Sequence, residues 1–247
     1  MISDPQFIWL GAIAILLVGV SKGGFGGSTG VLATPLLAVA LPLTTAAAIM
    51  LPILALMDIV AMRAFWGRWS MALLRTLVPA GIVGIIAGAL SFQYLDADSL
   101  RILIGVLAVI FALQSFAREF RPQKETRSVL PGTGLFWGAL SGYTSFVAHA
   151  GGPPATIHLL ALRLDRTVHQ ATAVFFFLIV NWVKIIPYTA LGLFTRDTLI
   201  ASAVLAPLAP AGVLLGAYLH KRVNQAWFLR ITTIGLFATG VKLLWPA

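Results

Sequence analysis

Apolar residues gather along this chain in long unbroken stretches separated by short polar interruptions. They lie at about 7–21, 29–41, 44–65, 70–94 and 98–117. Beyond the polar linker REFRPQKETRSVLPG they resume at about 132–148, 153–163, 167–194, 198–219 and 225–245. Stretches such as ILIGVLAVIFALQSF do not alternate apolar with polar residues, which points to α-helices and away from a lipid-facing β-barrel. A helix needs about 20 apolar residues to cross a bilayer. The first two stretches of each half fall short of that length, and the other three of each half reach it. The pattern therefore predicts an all-α polytopic membrane protein, each half carrying a broken or re-entrant pair of short helices and three long transmembrane helices.

Composition agrees with that picture. Hydrophobic residues make up 59% of the chain and charged residues 10%; a soluble domain carries about 25% charged residues. The start, MISDPQF, has an acid and no basic residue, so the first stretch is expected to belong to the mature fold. With no cysteine in the chain, thiolate chemistry and cysteine-held metals are ruled out. The sequence calls for no metal, no catalytic residue and no cofactor.

The two halves resemble each other in order. GVSKGGFGGSTGVLATPLL matches GALSGYTSFVAHAGGPPATIHLL in having a serine, a glycine-rich break and then proline with apolar residues. TTAAAIMLPILALMD aligns with TVHQATAVFFFLIVN and sets Asp58 opposite Asn181. PAGIVGIIAG aligns with PLAPAGVLLG, matching Gly84 and Gly88 to Gly212 and Gly216, which are expected to serve helix packing. SLRILIGVLAVIFAL aligns with FLRITTIGLFATGV. We read a first repeat at 1–117, a cytoplasmic linker at 118–131 and a second repeat at 132–247.

Charge orients the repeats. The net charge of +9 comes from clusters at Arg63, Arg68 and Arg75, at Arg118, Arg121, Lys124 and Arg127, at Arg163 and Arg166, and at Lys221, Arg222 and Arg230. Such clusters mark the cytoplasmic side, so they argue against a nucleic-acid-binding face. Asp4, Asp96, Asp98 and Asp197, with Arg101, Arg196 and Lys242, fall on the other side. Each half then crosses an odd number of times. The repeats are expected to be inverted, with both termini periplasmic and the protein in a bacterial inner membrane.

The two glycine-rich breaks are where such repeats build a binding site. One helix start follows Gly26 and Gly27, with Ser28 or Thr29 as cap; the other follows AHAGG, with Pro153 at the first helical position. Free N–H groups and positive helix ends converging from two sides suit a small anion. Lys22 is either the counter-charge of that anion or a lysine snorkelling to the surface. Asp58 and Lys184 form either a structural pair with each other or a coupling or gating device. His149 could bind substrate, carry a proton or bond a carbonyl. His158, His169 and His220 are read as structural, and Phe175, Phe176 and Phe177 as packing or lipid contacts.

The motifs SKGGFGG, MLPILALMD, AHAGGPP and NWVKIIPYTALG resemble the TauE/SafE family of sulfite and organosulfur-anion exporters, over nearly the whole chain. The resemblance implies a bacterial transporter of sulfite, sulfonates or sulfoacetate. It places family signature positions on Lys22, Gly23, Gly24, Gly26 and Gly27, on His149, Gly151, Gly152, Pro153 and Pro154, and on Asp58, Asn181 and Lys184. The partners expected are a small anion and the lipid bilayer, with a homodimer left open. Two alternatives carry other chemistry: a passive anion channel, and an intramembrane serine hydrolase built on Ser145 and His149, which are one helical turn apart.

Overall fold

The computed structural model describes residues 5–24, 31, 33–92, 94, 96–120, 132–162, 164–219 and 225–245. Gly26, Gly27, Ser28 and Thr29 lie outside the described residues, as do Arg163, His220, Lys221, Arg222 and residues 121–131 of the linker. The described residues form helices and no strand. In lipid only a helix satisfies every backbone group within one segment, and continuous apolar stretches without period-two alternation adopt it.

The helices are α1 (Pro5–Gly24), α2 (Ala33–Leu37), α3 (Leu43–Ala64), α4 (Met71–Phe92), α5 (Ala97–Phe120), α6 (Thr133–Ala148), α7 (Gly152–Ala161), α8 (Arg166–Ala190), α9 (Arg196–Leu205), α10 (Leu208–Leu219) and α11 (Gln225–Leu244). Five segments are long and apolar enough to cross a membrane: α1, α3, α4, the Thr167–Ala190 part of α8, and α9 with α10 taken together. Large apolar side chains such as Val83, Ile86, Leu90, Leu214 and Ile234 lie exposed on the outer helices, where lipid would meet them.

Three expectations are corrected. The first stretch does not stop at Ser21. Helix α1 continues through Lys22, Gly23 and Gly24 to reach 20 residues, enough to span. Among the described residues of the second stretch, expected over 29–41, the α-helix covers only the five residues Ala33–Leu37; turns follow, and Pro42 then precedes α3 as its N-cap. The stretch at 198–219 breaks after Leu205. Pro207 and Pro210 lack the N–H groups that an unbroken helix would use there, and the Ala206 carbonyl instead accepts from Ala209 N–H at 3.0 Å. Turn chemistry holds the other ends. The Asp165 carboxylate accepts from the backbone N–H groups of Thr167 and Val168 at the start of α8, and Thr195 and Thr198 form a reciprocal capping box on α9.

Helix pairing exchanges partners between the halves. α4 packs along α6 and α10 along α1, while α3 crosses α8 and α5 lies beside α11. Both exchanged seams are lined by small residues. On the first, a Cβ at Gly84 would overlap the Ala139 carbonyl oxygen, and one at Gly142 would overlap that of Gly81. On the second, a Cβ at Gly23 would overlap the Val213 carbonyl oxygen, and one at Gly216 would overlap that of Val20. Gly84, Gly88, Gly212 and Gly216 thus serve helix packing, as their spacing predicts. Gly23, expected at the substrate, belongs to this seam: it holds α1 against α10.

Candidate functional site

α3 packs against α8, and polar residues of these two apolar helices meet at the contact. Asp58 on α3 is fully buried. Its Oδ1 pairs with the Lys22 ammonium, which arrives from the last turn of α1, and its Oδ2 accepts from Asn181 Nδ2 at 2.6 Å. Lys22 also approaches the Leu54 carbonyl oxygen at 3.4 Å. The end of α1 leaves backbone carbonyls without helical partners. Gln170 on α8 caps one of them, its Nε2 donating to the Lys22 carbonyl oxygen at 2.7 Å.

A second buried lysine sits beside this pair. Lys184, 0% exposed, donates to the Ser145 carbonyl oxygen at 2.9 Å and to His149 Nδ1 at 2.7 Å, and lies 3.1 Å from Ser145 Oγ. His149 ends α6 in the left-handed region, φ 52°, a conformation uncommon for any residue but glycine. Its N–H bonds back to the Ser145 carbonyl oxygen at 3.0 Å. Its Nε2 lies 2.9 Å from the Ala47 carbonyl oxygen on α3. A carbonyl can only accept, so Nε2 carries the proton. Nδ1 is then the acceptor that Lys184 needs, and the ring is the neutral tautomer.

The expected Asp58–Lys184 pair is therefore corrected. The alignment of the halves matched Asp58 to Asn181 as equivalent positions; the structure joins them directly by a hydrogen bond. Lys184, three residues further along α8, faces α6, while Lys22 reaches across from α1. The Ser145–His149 dyad is not formed either: both ring nitrogens of His149 are engaged elsewhere, and the Ser145 hydroxyl lies against Lys184.

The second break joins α6 to α7. Ser141 Oγ donates to the Gly151 carbonyl oxygen at 2.6 Å, and Thr144 Oγ1 lies 3.1 Å from that of Ala150. A side chain at Gly151 would collide with the Ser141 carbonyl oxygen at 2.6 Å and Ser145 Cβ at 2.8 Å, so this glycine lets the chain turn tightly under α6. The expected ring of free N–H groups at the start of α7 is reduced. Pro153 and Pro154 have none, and Ala155 N–H is used by the Gly151 carbonyl oxygen at 3.3 Å, which leaves that of Gly152. Replacing Ser141 with alanine should strand a buried carbonyl and cost about 1 kcal/mol, read as a lower midpoint of thermal unfolding of the purified protein.

A cavity of about 20 Å³ lies between these groups, lined by Lys22, Leu54, Ser145, His149, Gly152, Phe177 and Asn181. It takes one water-sized occupant. Of the residues expected from sequence, Lys22, His149, Gly152 and Asn181 come together here. Asp58 and Lys184 adjoin them, Gly24 ends α1, and Pro153 sits in the first turn of α7. Leu54, Ser145 and Phe177 were not expected as lining, nor Gln170 as a cap. A signal for α8 was available: Gln170, Phe177, Asn181 and Lys184 are spaced by seven, four and three residues, the spacing of one helix face.

The family model described as Sulfite exporter TauE/SafE matches residues 11–243, a stretch that contains every residue lining the cavity. No curated protein and no solved structure matches the chain.

Proposed function

Since the chain belongs to the TauE/SafE family of sulfite exporters, we propose that it is a secondary transporter that exports a small sulfur-containing anion, such as sulfite, a sulfonate or sulfoacetate, across the bacterial inner membrane. The observation that carries this reading is the central cavity, walled by both halves of the chain and by a buried ammonium, that of Lys22. A pyramidal or tetrahedral oxyanion presents three acceptor oxygens. The Lys22 ammonium, Asn181 Nδ2 and the Gly152 N–H surround the cavity as donors of suitable kind. Such an anion is larger than the one water that fits. Binding therefore requires the lining to open and Lys22 to turn from Asp58 toward the ligand.

Titration of the purified protein with sulfite, sulfate, thiosulfate, sulfoacetate, taurine and acetate tests the reading, because a ligand bound to the folded state raises its unfolding temperature. Sulfur oxyanions should raise it and acetate should not. An equal response to all six would contradict a dedicated site.

The exchange of helix partners, α1 with α10 and α4 with α6, supports inverted repeats, and the basic clusters of the sequence support both termini being periplasmic. The chain has no cysteine, so single-cysteine variants report cleanly. Cysteines at Glu125 and Gln225 should react only from the cytoplasm, and one at Ala97 only from outside. Labelling of positions 97 and 125 from the same face would rule out this topology.

A further inference from the structure

We infer that Lys184 is the proton carrier of the transporter: it takes up one proton when an anion binds and gives it up when the anion leaves. This rests on the reading of the cavity as an anion site. The fixed charges come first. Lys22 and Asp58 pair and neutralise each other. His149 is the neutral tautomer when Lys184 donates to its Nδ1 and its Nε2–H bonds the Ala47 carbonyl. Residues 25–32, beside the site in sequence, contain no ionisable side chain. Among the described residues Lys184 thus has no carboxylate of its own, and it is fully buried, a setting in which an ammonium is costly and an amine is not.

The surroundings of Lys184 accommodate both forms. The Ser145 carbonyl oxygen and His149 Nδ1 can only accept, and together they take two N–H bonds. The third neighbour, Ser145 Oγ at 3.1 Å, can do either. Against an amine the hydroxyl donates to the Nζ lone pair; against an ammonium it rotates and accepts the third N–H. No hydrogen bond is lost in either state. The other groups facing this nitrogen are Lys22 from α1, Asp58 from α3 and Asn181 on α8 itself. An anion drawn to Lys22 adds one negative charge near Lys184. A proton from water then bonds to Nζ and cancels it. One anion and one proton move together, and no net charge crosses.

The probe is methanesulfonate, whose charge does not change across the neutral range. Binding to the purified protein, measured by calorimetry in two buffers of different ionisation enthalpy, should take up close to one proton per anion. Because binding consumes a proton, affinity should fall about tenfold per pH unit where Lys184 starts as the amine. Lys184→Arg, permanently charged, and Lys184→Gln, never charged, should each bind without proton uptake. An infrared difference spectrum of the unaltered protein needs no variant: it should show no new carboxylic acid band from Asp58. Binding with no proton uptake, uptake that persists in either Lys184 variant, or an Asp58 acid band would each overturn the inference while leaving the anion site standing. No binding of methanesulfonate and none of sulfite would overturn the anion-site reading itself.

Discussion

Lys22→Met should lower anion affinity by about 100-fold or more, the usual cost of removing a buried, hydrogen-bonded charge from a binding site. The single change also strands Asp58, whose Oδ1 would lose its partner in a fully buried position. Breaking a buried ion pair on one side costs about 3–5 kcal/mol of stability, so the single variant alone would confuse binding with folding. The double variant Lys22→Met with Asp58→Asn separates them. The amide introduced at position 58 would face that of Asn181, a neutral pair in place of the charged arrangement, and the protein should be recovered folded and monodisperse. It should still fail to bind. A double variant that binds sulfite as the unaltered protein does would show that Lys22 neutralises Asp58 and nothing more.

The second large effect concerns the seams. Gly142→Val should abolish a monodisperse fold. The added Cβ would overlap the Gly81 carbonyl oxygen, which is backbone and has no rotamer to change. The cost should stand at or above about 3 kcal/mol, the upper end for overpacked sites. Gly23→Val should behave likewise, against the Val213 carbonyl oxygen. The comparison is Gly67→Ala. Gly67 has positive φ, 72°, but open space around it, so only backbone strain of about 1 kcal/mol applies. Size-exclusion profiles and unfolding midpoints of the three variants check the order. A Gly23→Val protein that folds normally and loses only anion binding would return Gly23 to the substrate site.

Much of this fold was legible in the sequence because lipid removes alternatives. A continuous apolar stretch has one way to satisfy its backbone, so α3, α4, α5 and α8 fall close to where periodicity and length place them. The alignment of Asp58 with Asn181 singled out two positions, one on α3 and one on α8, that the structure joins by a hydrogen bond. What sequence could not supply is reach. Whether Asp58 pairs with Lys22 or Lys184 depends on where α1 ends in space, and Gly19, Gly23, Gly212 and Gly216 allow its close approach to α10. Glycine was also ambiguous by nature. In SKGGFGG it reads as a break, yet the helix runs on through Lys22, Gly23 and Gly24 because the neighbouring helix presses close enough to need residues without side chains. In AHAGGPP the break is real, since two prolines follow and His149 turns the chain with a left-handed backbone.

Passage of a sulfur oxyanion through the Lys22 cavity is open to direct measurement. The most direct measurement is uptake of radiolabelled sulfite into proteoliposomes containing the unaltered protein or the Lys22→Met, Asp58→Asn double variant, with an excess of methanesulfonate or acetate as competitor. Sulfite flux should be saturable in the unaltered protein, slowed by methanesulfonate and not by acetate, and no higher than in protein-free vesicles for the double variant. Equal sulfite flux through both proteins would show that sulfite does not pass by way of Lys22.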